Sequence, residues 1–185
     1  MDASETLGME AIGQVPRALG LMDRDESSPT YGCADRYYWH YKLHDFPNAR
    51  FQEASDLLAL AYLFCHPSNP FHGRTKIRDW ALAGVRYWER IRRGDGSFDE
   101  AYPHERSFCA TAFTTFHSTQ TSISLAEPLR TDIRPTGRWL VDHDAPDTAN
   151  QRAASCAALA NIAVLTSDAA FRAEAQINGF DGIVF

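Results

Sequence analysis

The apolar residues of this chain recur mostly at helical spacing. A weak pattern (Leu7, Met9, Ile12, Val15, Leu19, Leu21) precedes the polar run Asp23–Pro29, which predicts a short helix and a loop over residues 1–30. From Phe51 the period is clear: Ala54, Leu57, Leu58, Ala61, Tyr62 and Cys65 share one stripe, ended by His66-Pro67 and the turn-forming Ser-Asn-Pro. Ile77, Trp80, Ala81, Gly84, Tyr87, Trp88 and Ile91 repeat the spacing after Thr75, an expected N-cap, so the two stretches predict a helical hairpin. The run Arg93–Pro103, rich in Gly and Asp, breaks the pattern. A third helix is expected from about 106 to about 126, although its β-branched residues weaken the signal. A shorter one covers 134–143, an alanine-rich one spans 148–165, and a last one starts near Ser167.

The count gives about three successive helical pairs and no alternation of strands, so the expected class is all-α. Pairs repeating at roughly 45 to 50 residues point to an array of α-hairpins, either a solenoid or a closed toroid. Residues 31–178 form that array, 1–30 precede it, and 179–185 (Gly-Phe-Asp-Gly-Ile-Val-Phe) read as an irregular tail.

One segment resists the periodic reading. Between Tyr31 and Glu53 the chain packs aromatics, two histidines and two arginines with no steady apolar repeat, and Asp35 to Asp45 places a polar or amphipathic group at nearly every position. Such a stretch suits a polar ligand, sugars above all, because aromatic faces cover their C–H surfaces while Arg, His and Tyr reach hydroxyls or carboxylates. The alternative is an aromatic entry to a helix, with Trp39 and Phe46 in the core and the polar groups solvated.

Composition narrows the classes. At 185 residues, 44% apolar and 12% aromatic, the chain has the length and content of one globular domain. A net charge of −6 argues against a nucleic-acid or anionic-membrane surface while leaving room for a local cationic pocket. Cys33, Cys65, Cys109 and Cys156 have no ligand spacing and read as reduced, mostly buried thiols. The start has no signal-peptide pattern and no run approaches a membrane span, so a cytoplasmic protein without membrane insertion is expected.

Three motifs carry a resemblance. Tyr31-Gly-Cys-Ala-Asp-Arg-Tyr-Tyr-Trp-His-Tyr-Lys with Asp45-Phe-Pro-Asn-Ala-Arg-Phe-Gln-Glu, then Asp95-Gly-Ser-Phe-Asp-Glu-Ala-Tyr-Pro-His-Glu-Arg-Ser-Phe, then Ala149-Asn-Gln-Arg-Ala-Ala-Ser-Cys-Ala-Ala-Leu together resemble the N-terminal part of heparinase II/III-like proteins. The resemblance spans about residues 30–175 and implies an (α/α) toroid with polysaccharide-lyase ancestry. The helices here number fewer than such a toroid needs, which implies a truncated or split member and an open apolar edge. Self-association or a partner chain through that edge is therefore expected.

The implied chemistry is β-elimination at a uronate: neutralise the carboxylate, remove the C5 proton, and protonate the leaving oxygen. The resemblance puts Tyr38 or His40 forward as base or acid, without deciding which is which, Arg36 and Asn150 as holders of the carboxylate, and Tyr37, Trp39, Tyr41, Gln151, Glu105 and Arg106 as substrate contacts. Asn150 lies near an expected helix start, where backbone N–H groups favour an anion, and capping is its alternative role. Relatives carry His after that Asn; Gln151 here removes a candidate base. His40 and His44 have metal spacing but lack a third ligand, so no metal is expected. No phosphate loop, dinucleotide fingerprint or nucleophile elbow is present, and no cofactor is expected.

Two other readings stay open. One is a non-catalytic helical carbohydrate-binding or scaffold module; the other is a toroid glycoside hydrolase using Asp99 or Glu100. Asp95-Gly is first a turn signal, and Glu105 and Arg106 are candidates either for a sugar or for pairing with each other.

Overall fold

The all-α class is what forms in the computed structural model, which describes residues 3–182, with side-chain surroundings for 5–176. Among the described residues there is no strand, only an isolated bridge between Phe98 and Ser107. Helix α1 (Ala3–Leu21) is longer than the short helix expected and tolerates Pro16 in its body. It buries Ile12 and Val15, with Met22 just after it, in the first of two apolar clusters. After a loop come the single turn α2 (Arg36–Trp39) and a 3₁₀ turn (Ala49–Glu53) that runs directly into α3 (Ala54–Leu63). Helix α4 (Thr75–Ile91) follows, with Arg74 rather than Thr75 at the N-cap position and no side-chain cap bond. The preceding turn, closed by the Arg74 N–H on Phe71 O, sets the start one residue before the hydroxyl.

The second half comprises α5 (Phe108–Ser124), α6 (Arg134–Asp142), α7 (Ala149–Thr166) and α8 (Ala169–Gly182). The tail expected over 179–185 is thus helical as far as Gly182, and 183–185 lie outside the described residues. Consecutive helices α3 with α4 and α7 with α8 pack together, as a hairpin array expects. Helix α5, however, packs mainly against α7 instead of its short neighbour α6.

Helix α5 stands between the two clusters. It also touches α3, α4 and the 3₁₀ turn, yet its buried side chains are largely Thr and Ser: Thr111, Thr114, Thr115, Ser118 and Thr119 are all fully buried. Most of these hydroxyls are satisfied within the helix, Thr111 donating to Ser107 O (2.7 Å), Thr114 to Ala110 O (2.7 Å) and Thr119 to Thr115 O (2.6 Å). A back-bonded hydroxyl presents only its methyl or methylene outward, so it packs much as Ala or Val would. Thr114 Oγ1 also accepts from Trp88 Nε1 (2.9 Å), and Trp88 stacks on Phe98 in the second cluster.

The loop before α2 is fastened to α4 by backbone and side chain together. Gly32 has φ +89°, and a Cβ there would lie 2.1 Å from Ala83 O, so only glycine permits the approach. Beside it, buried Gln52 uses its whole amide: Oε1 accepts from Ala34 N–H (2.7 Å) while Nε2 donates to Gly32 O (3.0 Å) and Gly84 O (2.9 Å). Truncation would strand three buried backbone groups without water. Gln52→Ala is expected to lower stability by about 3 kcal/mol, read from urea midpoints; a loss under about 1 kcal/mol would show that the amide is dispensable.

Candidate functional site

The 35–46 segment is organised by Asp35, which is fully buried. Its carboxylate accepts from the N–H groups of Tyr37 (3.1 Å) and Tyr38 (3.3 Å), starting α2, and from Asn48 N–H (2.9 Å), fixing where the segment ends. Arg36 Nη1 donates to Gly20 O (2.6 Å) and Trp39 Nε1 to Leu21 O (2.8 Å). Both therefore satisfy carbonyls that the end of α1 leaves without helical donors, and a cation is favoured there. Lys42 adopts φ +54° and the chain turns back, with Leu43 N–H on Tyr37 O (2.9 Å).

This pinned turn presents its rings outward. Tyr37 is 46% and Tyr41 52% exposed, their centroids 6.0 Å apart, and exposed His40 sits edge-on to Tyr41 at 5.0 Å and to Trp39 at 5.1 Å. The Arg36 guanidinium lies over the Tyr41 ring (5.4 Å) and that of Trp39 (5.9 Å), and Lys42 Nζ over Tyr38 (5.9 Å). Trp39 and Phe46 are only partly buried and belong to neither core cluster, so the alternative of an aromatic core entry does not describe them. Tyr38 is half-buried and acts electrostatically on Tyr87, whose hydroxyl is pushed far up by burial first and then by Cys33 and Tyr38.

The other expected residues lie elsewhere. Asn150 and Gln151 occupy the first turn of α7, whose packing partners are α5, α6 and α8; Thr148 takes the cap position, and exposed Asn150 makes no side-chain hydrogen bond among the described residues. Glu105 and Arg106 do not pair with each other. Glu105 Oε2 accepts from the N–H groups of Glu100 (3.1 Å), Ala101 (2.7 Å) and Tyr102 (3.2 Å), and Arg106 Nε meets Asp95 at 3.1 Å. Both serve the loop itself. Asp99 does likewise, accepting from Arg93 Nη1 (2.8 Å), His104 N–H (3.0 Å) and Arg106 N–H (3.0 Å). Burial alone would raise its carboxyl, but the Arg106 and His104 N–H groups and the Arg93 guanidinium outweigh it and hold the group below its ordinary value. A glycosidase acid needs the opposite shift. Of the four free cysteines only Cys33 is buried, its thiol pushed up to about 11 chiefly by burial; Cys65 is exposed and the other two half-buried, which corrects the expectation of mostly buried thiols.

Sequence reasoning missed one constellation. A line of polar contacts runs from Glu100 Oε1 to Arg50 Nη1 (4.0 Å), from Arg50 Nε to Glu53, from Glu53 Oε2 to His117 Nε2 (3.8 Å), and from His117 Nδ1 to Asp56 Oδ2 (2.9 Å). Arg50 also donates to Cys109 Sγ (2.7 Å) and covers the Phe113 ring at 4.4 Å. The line ends at an open groove of about 560 Å³ between α3 and α5, walled by Leu57, Leu60 and Leu63. Arg50, Glu53 and Asp56 stand three apart, a spacing that could have flagged it; His117 carried no local signal. No group of three or more metal-ligating side chains occurs among the described residues, and no described helix is long and apolar enough to cross a membrane.

The chain matches no protein-family model, no curated protein and no solved structure.

Asp99 supports a pH test. Its native pKa lies below the ordinary 3.8, so its contribution is present above that value and is lost as pH falls through the lower native one. Asp99→Asn is expected to cost about 1–3 kcal/mol at pH 7, with the gap to the parent chain narrowing in urea titrations near pH 3. A gap independent of pH would sink this account of the loop.

Proposed function

We propose that this chain is a helical carbohydrate-binding module for an anionic, uronate-containing polysaccharide, which it engages through the ring platform of residues 36–44. One observation carries the reading: Tyr37, His40 and Tyr41 are exposed on a turn held rigid from beneath, with the Arg36 and Lys42 cations among them. Rings that contributed only packing would be covered. Exposed together, they offer flat apolar faces beside positive charge, the chemistry that a sugar acid needs. This is also the ligand class that the heparinase II/III-like resemblance implies.

Binding is better supported than elimination. Arg36 already caps α1, Tyr38 is half-buried beside the Cys33–Tyr87 region, and Asn150 belongs to a helix packed in the other cluster, so the three tasks of a lyase find no single assembled site. His40 stays exposed beside the platform.

A second reading, a scaffold that joins another chain or copy, is favoured by the apolar wall of the α3–α5 groove, where Leu60 is 40% and Leu63 44% exposed. The incomplete toroid is part of that reading. Concentration-dependent sedimentation that Leu60→Glu abolishes would support it, and a monomer at every concentration would oppose it.

For the leading reading, titration with polygalacturonate or alginate is expected to show saturable binding. Tyr37→Ala and Tyr41→Ala should each weaken it about tenfold, equivalent to about 1.4 kcal/mol per ring, with circular dichroism unchanged. Neutral glucans should bind more weakly. Equal affinity of the double variant would refute the platform, and ultraviolet absorbance from an unsaturated product would move the assignment from module to lyase.

A further inference from the structure

The bend between α6 and α7 forms a partly open pocket of about 210 Å³, whose lining includes the exposed Val141, His143 and Asp144. Its wall differs from the α3–α5 groove in one respect: its polar groups are short of partners. Arg152, in the second turn of α7, has a side chain only 19% exposed. Its single ionic partner is Asp144, 52% exposed, at 3.2 Å from Nε. That contact lacks hydrogen-bond geometry, so the buried Nε is left unsatisfied, while the two Nη groups stay open to solvent and make no hydrogen bond to the described residues. A buried guanidinium N–H ordinarily has an acceptor.

Two further groups share the cavity. His143 is fixed by its stack on Trp139, with centroids 4.0 Å apart and planes 12° from parallel, and by Nδ1 lying 2.7 Å from Trp139 O. Since a carbonyl only accepts, Nδ1 carries the proton of the neutral ring, and Nε2 is left as an unpaired acceptor. Ser155 is buried and lines the pocket as well. Phe108 and Leu140 complete the lining with apolar surface.

We infer that this cavity binds a small hydroxy acid, its carboxylate on the Arg152 guanidinium, its hydroxyl donating to His143 Nε2, and its carbon skeleton against Phe108 and Leu140. The planar fork of the guanidinium matches a carboxylate with two parallel bonds, which a point cation would not. With the ring neutral, the Nε2 acceptor takes a hydroxyl and repels a second carboxylate oxygen. The volume admits a compound of monosaccharide size or smaller and excludes a polymer interior. Asp144 stands at the rim as the anion that the ligand displaces from Arg152. The site does not depend on the ring platform of α2, which lies on other elements.

Protein-observed NMR titration at constant ionic strength, with glycerate, propionate and glycerol as probes, tests this directly. Glycerate is expected to bind saturably, shifting amides around His143 and Ser155, with propionate at least about tenfold weaker and glycerol silent. Arg152→Met should weaken glycerate at least about tenfold. Asp144→Asn, by removing the competing anion, should strengthen it about threefold or more, which a purely structural salt bridge would not do. If Arg152→Met fails to fold, Arg152→Lys with Asp144→Asn carries the test. Glycerol binding as well as glycerate, shifts confined to other regions, or an Asp144→Asn variant with unchanged or weaker affinity would each overturn the proposal.

Discussion

The structure depends on two buried polar side chains that do work usually left to apolar ones. Asp35 and Gln52 lie under the 31–53 segment with almost no exposure, and between them they bind six backbone groups from the loop, α2, the residue before the 3₁₀ turn and α4. Each is fully used, so each avoids the desolvation cost that makes buried polar groups expensive. Their effect is positional. A segment with too few apolar residues to pack itself is held in one conformation, and its rings are free to face outward.

The second organising feature is the line of polar contacts that crosses from the 95–107 loop through the 3₁₀ turn to α3 and α5. It joins elements from both halves of the chain, Arg50 lying between Glu53 and Glu100, and His117 between Glu53 and Asp56. Partly exposed pairs of this kind add little stability one by one. Their value lies in register, since a shift of α5 by one residue would move His117 away from both carboxylates.

Much of the helical framework was legible in the sequence because α3, α4 and α7 announce themselves by period, and because Gly-Asp-Gly and Ala-Pro-Asp punctuate them. The class follows from that. Helix α5 was the hardest to read, since its buried face is Thr and Ser, and hydropathy reports such residues as surface although the hydroxyls of Thr111, Thr114 and Thr119 are spent on the preceding turn. The aromatic segment was visible from density alone, but not that Arg36 and Trp39 would be engaged by the end of α1, eighteen residues or fewer away in sequence. Asn150 illustrates the limit of motif order: residues that follow one another plausibly along the chain need not meet, and only packing decides that α7 joins α5 and α8. His117 and Arg152 were unreadable for the converse reason, since their meaning comes from neighbours supplied by the fold.

The contact of Gly32 with Ala83 has a consequence for recognition. Because backbone meets backbone there with no side chain between, the loop leading to the rings is a raised part of the surface of α4 and has the stiffness of a core helix. The entropy of holding that loop in one shape was surrendered when the chain folded. Whatever meets the exposed rings finds them already arranged, and the association is spared that ordering cost.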